Sequence, residues 1–291
     1  MRSRSNMQLK NVKWLGDFWY KYRKNKAAVM GLVIVTAVVL IAITAPLLTP
    51  YGALQTSVGT PLQPPTSGHP LGTDGLGRDI FAGVVYGSRT ALMVGLLATG
   101  VGAGLGTLVG TVSGYNRGKI DDILMRITES FIIIPVFFLA LVLMAFLGQS
   151  IVNVIFVVGI LSWPRVARLV RADFLTLRER EFVKAARMDG ASKIDIMVRE
   201  ILPNVTPTII VASTLEIASA ILYESSLSFL GLGDANVPSW GVMLKYAQPY
   251  IFQAWWAITF PGLAITILVL ALNEMGDGLN DALNPRLKER K

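Results

Sequence analysis

Six long apolar stretches, separated by polar ones, dominate the chain. They cover residues 27–48, 90–113, 127–147, 151–170, 206–230 and 254–272. Each lies near the ~20 residues that carry a helix across a bilayer. None shows the polar/apolar alternation of a membrane β-barrel strand. In lipid, backbone N–H and C=O groups must be paired within the structure, so helices are expected. The pattern predicts an all-α integral membrane protein with six transmembrane helices.

The longest polar insert, 171–200, reads RADFLTLREREFVKAARMDGASKIDIMVRE. Glu181 to Met188 is built mostly of good helix formers. Asp189-Gly190 breaks that run, because glycine readily takes the left-handed conformation that ends a helix. Ser192 suits the cap of a second helix, with Asp195 in its first turn. Ile194, Met197, Val198 and Ile201 then fall on one helical face. Leu202-Pro203 is predicted to close that helix. The product is a capped helix–bend–helix knob between two spans, where a plain solvated loop is the competing reading. Ala185, Ala186 and Gly190 are small enough to let another protein's backbone approach.

At the N-terminal end, Trp14, Leu15, Phe18, Trp19 and Tyr22 share one face of a predicted helix, with Lys10, Lys13, Lys21 and Lys24 among the basic residues around it. Residues 1–26 read as an amphipathic helix lying on membrane lipid at the cytoplasmic surface. They are too long and too aromatic for the basic start of a cleavable leader. Residues 50–87, rich in proline and glycine, read as an irregular loop in which Asp74, Arg78 and Asp79 form an ion-paired knot or meet a delivery protein. Gly102, Gly106, Gly110 and Gly114 recur every fourth residue of the second span, a packing seam. Residues 115–126 read as a polar turn, and Glu129 is expected to snorkel or pair with Arg126. Trp255 and Trp256 are placed as interface anchors.

Composition narrows the class. The chain is 53% hydrophobic and 16% charged, against about 25% charged in soluble domains. The formal charge of +8 would suit a nucleic-acid binder. Its distribution explains it differently. With both termini cytoplasmic, of 27 Lys and Arg only Arg78, Arg89 and Lys245 fall in outside segments. That is the asymmetry of the positive-inside rule, and it leaves no call for nucleic acid. Without cysteine there is no thiolate site, and the single His69 cannot build a metal site. No G-x4-G-K-[ST] cradle, Ser-His-Asp set or paired carboxylates occur, so no catalytic, cofactor or metal role is assigned. Glu216, in the middle of the fifth span, is a carboxylate where charge is expensive. It either lines a translocation path or is an internal hydrogen-bonded group.

The run Lys184-Ala185-Ala186-x3-Gly190-x11-Leu202-Pro203 resembles the EAA loop of permease subunits of ABC importers. Lys184 stands where the name-giving glutamate is usual, and Glu200 where isoleucine is. His69-Pro-Leu-Gly-Thr-Asp-Gly-Leu-Gly-Arg-Asp79, Glu224-Ser-Ser-Leu-Ser-Phe-Leu-Gly-Leu-Gly233 and Pro238-Ser-Trp-Gly241 are similar to segments of the peptide and nickel importer permeases. Asn273 to Arg286 resembles the family's N-x-x-G-D-x-L-x-D-x-x-x-P-R close, with Asn280 and Asn284 as departures. The resemblance spans nearly the whole chain and points to the second permease type of that family. It implies a type I ABC importer fold in a prokaryotic inner membrane. It also implies a homologous second permease, two ATP-binding subunits that hydrolyse the ATP, and an extracytoplasmic solute-binding protein. Peptides are the implied solute; relatives also carry nickel, glutathione or oligosaccharides. The coupling residues it marks are Lys184, Ala185, Ala186, Arg187, Asp189, Gly190, Leu202 and Pro203. The implied divisions are 1–26, a surface helix; 27–88, first span and external loop; 89–278, the transmembrane core with coupling loop 171–203; and 279–291, a cytoplasmic tail. A different class, a non-transporting scaffold that recruits a cytoplasmic ATPase, shares the knob but not the solute path.

Overall fold

The computed structural model describes Gly16 and residues 18–283. Residues 18–24 are helical, and Asn25 caps the next helix by accepting from Ala28 N. The remainder of the expected surface helix, with Trp14 and Leu15, lies outside the described residues, as does the Pro285-Arg286 end. The helices are α1 (Lys26–Leu48), α2 (Ile80–Asn116), α3 (Gly118–Ile133), α4 (Val136–Leu147), α5 (Ile151–Leu177), α6 (Glu181–Met188), α7 (Lys193–Asp195), α8 (Leu202–Phe229), α9 (Trp240–Ala247) and α10 (Trp255–Leu283). Among the described residues the sole β feature is an isolated bridge between Thr73 and Asp79.

Five helical rods are long and apolar enough to cross a bilayer: α1, α2, α5, the continuous Lys193–Phe229 rod and α10. The pair α3–α4, bent by 87°, is long and apolar enough together to make a sixth, broken span. Only 17% of the most apolar window of α1 is buried, so Ile43 and Leu47 face outward. A surface that apolar is stable against lipid or another subunit, not water. The crossings alternate. Residues 49–79 and 230–254 lie at one end of the bundle, and α6 and α7 at the other.

The glycine seam forms as its spacing predicts. It lies along α5, where a Cβ on Gly106 would stand 2.7 Å from Trp163 O, and one on Gly110 2.5 Å from Ala167 O. Gly159 of α5 returns the contact, 2.9 Å from Ala98 O. The two backbones therefore touch, which no side chain would allow. Pro46 inside α1 removes the N–H that Ala42 O would accept. Arg89 of α2 fills the vacancy. Its Nε donates to Ala42 O and its Nη2 to Ile43 O at 3.1 Å.

Several expectations need correction. The external loop ends at Asp79, not residue 87, because the Asp79 side chain accepts from Ala82 N and starts α2 ten residues early. Arg89 is therefore helical. Asp74 and Arg78 do pair, with Arg78 N donating to Asp74 Oδ1 at 2.9 Å and Nε 4.0 Å from Oδ2, but Asp79 pairs with His69 instead (Nδ1–Oδ1 2.9 Å), so the expected knot lacks its third member. Residues 118–126 are helix rather than turn. The third crossing is not straight, since Pro135 forces Ile134 into an extended conformation (ψ 126°) and breaks it. Helix α5 runs to Leu177, past the expected end at residue 170, so Arg171 is helical rather than the start of the insert. Of the two readings of Glu129, the pair with Arg126 is not formed, while its exposure is compatible with snorkelling. Trp256 is 6% exposed and donates to Thr73 O at 3.2 Å, so it is core; Trp255 stays exposed.

Two outcomes test this packing. Gly110→Leu has no room at the seam and should destabilise by about 1–3 kcal/mol, the usual cost of overpacking. Arg89→Leu leaves a buried carbonyl without a donor, at a cost of about 1–3 kcal/mol. Thermal unfolding in detergent, followed by size-exclusion fluorescence, reads both. Wild-type melting by either variant refutes the corresponding contact.

Candidate functional site

The knob is built from two short helices and a turn of known geometry. Gly190 sits at φ +83°, where a side chain would be strained. Gly190 N donates to Arg187 O and Ala191 N to Ala186 O, the double bond of a Schellman cap. Ser192 Oγ then accepts from Asp195 N at 3.1 Å, capping α7. The expected bend and cap are both present.

Beyond α7 the chain departs from expectation. Pro203 does not close the helix. Residues Ile196–Ile201 form a π turn, in which Leu202 N reaches back five residues to Met197 O. The wider turn gives the Pro203 ring space that an α-helix denies it, and the rod continues to Phe229. The buried face also shifts. Ile196 and Ile201 are 1% and 0% exposed, whereas Ile194 and Val198 are 69% and 51% exposed. Adding one residue to a turn rotates the apolar stripe, so the predicted face of Ile194, Met197, Val198 and Ile201 is split.

The knob is bound to the bundle by a small core. Val183 of α6 is fully buried in a cluster that also holds Tyr115, Val166, Val170, Phe174, Ile196, Ile201 and Val205. These come from α2, α5, the π turn and α8, so the knob shares one core with three helices of the bundle. Polar contacts reinforce the core. Arg178 Nη1 donates to Tyr115 O, and the Arg178 and Arg187 guanidinium groups each lie 5.9 Å from the Tyr115 ring centre. Burial, then repulsion from Arg117, hold the Arg178 guanidinium below its ordinary pKa. One turn deeper, Asp121 takes a two-pronged contact from Arg171 (2.6 and 2.7 Å) and a hydrogen bond from Ser113 Oγ. Tyr115, Asp121 and Arg171 join residues 50 to 63 positions apart in sequence. No local pattern announces such contacts, and sequence reasoning missed their roles.

The residues marked by the resemblance divide into two groups. Lys184, Ala185, Asp189, Gly190 and Pro203 are exposed, with Lys184 paired to Glu181 at 3.0 Å. Ala186 and Leu202 are half-buried in the knob's core, and Arg187 lies over Tyr115. Apolar Phe182 and Met188, 39% and 83% exposed, stand beside the first group without a described partner surface.

Glu216 is far from the knob. It is 7% exposed, and its Oε1 lies 3.3 Å from Arg165 Nη1. Glu224, two turns on, is 1% exposed and accepts from Ser228 Oγ (2.8 Å) and Ser225 Oγ (3.3 Å). There α9 returns across α8: a Cβ on Gly241 would lie 2.3 Å from Ser225 O, and Trp240 Nε1 donates to Val84 O at 2.9 Å.

Comparison with known proteins gives this geometry a family. Residues 106–289 match the model described as binding-protein-dependent transport system inner membrane component. Residues 13–65 match the N-terminal TM domain of oligopeptide transport permease C. The dipeptide transport system permease protein DppC of Alkalihalophilus pseudofirmus is 42% identical over 91% of this chain and 88% of its own length. The proteins of that name from Bacillus subtilis and Escherichia coli are 37% and 40% identical, covering 99% and 94% of this chain and 90% and 94% of theirs. An inward-facing structure of the MetNI methionine ABC transporter superposes with a TM-score of 0.58 at 21% identity, over 70% of this chain and 98% of that one. Its fold, that of a type I ABC importer permease, is shared. This chain belongs to the binding-protein-dependent transport system inner membrane component family, a membrane transport subunit and not an enzyme.

Proposed function

We propose that this chain forms half of the translocation path of an ATP-driven importer of di- and oligopeptides. A homologous second permease supplies the other half, two ATP-binding subunits hydrolyse the ATP, and an extracytoplasmic solute-binding protein delivers the peptide. The observation that carries the reading is the knob's dual character. Its exposed face is small and apolar at Phe182, Ala185, Met188 and Gly190, while its inner face is tied to α2, α5 and α8. A push on the outer face therefore moves three crossings together. The Lys- and Arg-rich ends support a cytoplasmic position for that face.

In this scheme ATP binding closes the ATPase pair, and the attached knobs rock the two permeases toward an outward-open state. Hydrolysis reverses the motion. The two states must differ in their contacts with the knob for nucleotide to bias them. Lys184, Ala185, Ala186, Arg187, Asp189 and Gly190 form the coupling surface, Leu202 and Pro203 its junction with the span, and Glu216 faces the path. A non-transporting scaffold needs the outer face but not the rigid inner one. Peptide names among the relatives support the solute.

Gly190→Pro is incompatible with φ +83°, since proline fixes φ near −65°. The variant should insert and pair with its partner permease, yet lose about tenfold or more of ATP-dependent dipeptide uptake in proteoliposomes, a barrier change of ~1.4 kcal/mol. Uptake at the wild-type rate refutes the coupling assignment. Met188→Asp puts a charge on the exposed apolar face without touching the knob's core. Its melting temperature should stay unchanged while co-purification with the ATP-binding subunits falls; retention of the subunits argues against docking there.

A further inference from the structure

A buried glutamate of α8 meets an exposed arginine of α5, and the coupling scheme does not use the pair. From Ile151, Arg165 lies about 21 Å along α5, and from Phe229, Glu216 lies about 20 Å along α8, at ~1.5 Å per residue. Measured from those helix ends, both fall within the ~30 Å thickness of a hydrocarbon layer, in the part nearer the knob. Charge at that depth is expensive and faces a water-filled cavity or the bundle interior rather than lipid.

The two partners are not equivalent. The Glu216 side chain is 9% exposed, the Arg165 side chain 57%. Glu216 touches one nitrogen, Nη1, at 3.3 Å. A guanidinium carries five N–H donors in a planar fork suited to carboxylate, so most of Arg165 stays open. A polar line leads to it. Glu216, Ser219, Tyr223 and Ser226 follow at i, i+3, i+7 and i+10, one face of α8. Ser226 borders an open, mostly apolar groove of about 450 Å³ with Phe137, Phe229 and Leu244, toward the end of the bundle away from the knob; Arg165 and Glu216 lie beyond its lining.

We propose that Arg165 reads the carboxylate of the passing solute. It binds the C-terminal carboxylate of a peptide as it crosses, and Glu216 positions the guanidinium from behind. This rests on the peptide reading above. Arg165 is the binding group, and Glu216 the positioning one.

The test uses the permease–ATPase complex without its binding protein, so that the complex alone is probed. Saturation-transfer NMR compares alanyl-alanine with alanyl-alanine amide, which lacks the carboxylate. The wild type should bind the acid about tenfold or more tighter than the amide, as a charge-assisted pair implies. Arg165→Gln should abolish that preference, and Arg165→Lys should keep part of it. The double exchange Arg165→Glu/Glu216→Arg restores an ion pair but leaves a carboxylate in the open position. It should show no preference for the acid. Equal binding of acid and amide by the wild type overturns the proposal, as does a preference that survives Arg165→Gln or returns in the double exchange. Dipeptide uptake by the wild-type complex with its binding protein is measured in parallel. If uptake persists while the acid preference is missing, only Arg165 loses its role; if uptake is absent as well, the peptide reading falls with it.

Discussion

The contact between α2 and α5 is the constraint on which the rest depends. Four glycines on one helix and one on the other bring two backbones together. That close approach sets the C-terminal end of α2 beside the end of α5. Tyr115 then reaches Phe174 and Arg178, and Ser113 with Asp121 reaches Arg171. Separate the two helices by the width of one methyl group, and the platform under the knob loses both its apolar and its ionic contacts. Without a hydrophobic driving force between helices in lipid, such close packing is a main source of cohesion. The seam is thus structural in itself and, through the platform, mechanical.

Much of this was legible in the residues, and the failures have physical reasons. Continuous apolar runs gave the spans, the four-residue glycine period gave the seam, and Asp189-Gly190 with Ser192 gave the bend and its cap. Helix ends were read poorly. The signal used was hydrophobicity, and α2, α3 and α5 each continue into water or protein as polar helix. Asp79 has the residue type and spacing of a cap, and its carboxylate serves the start of α2 and His69 rather than an ion-paired knot. Pro135 was an available signal for the break in the third crossing. Pro203 misled for the opposite reason: a π turn absorbs a proline that an α-helix would not.

The candidate site divides in the same way. Its exposed residues follow from local sequence, because turn and cap chemistry act over three or four positions. Its attachment does not, because Arg171–Asp121 and Arg178–Tyr115 span 50 and 63 positions. Pairs of that separation exist only once the helices are packed. The same holds for Arg165. It lies in the apolar run 151–170, and no local pattern marks its partner. Only the packing of α5 beside α8 puts it opposite Glu216, 51 positions away.

Helix α8 solves the problem of a buried carboxylate twice, and the contrast is informative. Glu224 is enclosed by serine hydroxyls where α9 crosses, and Gly241 against Ser225 leaves no space around it. Its donors Ser225 and Ser228 are buried and lie on its own helix, so these bonds satisfy the group within α8. Glu216 is buried too, but its partner is a cation whose own surroundings are open. A pair kept only for cohesion gains nothing from exposing one member, and burying an ion pair contributes little to stability in any case. A half-used guanidinium at that depth, with polar positions leading to it along one face, makes sense when something charged arrives to complete it.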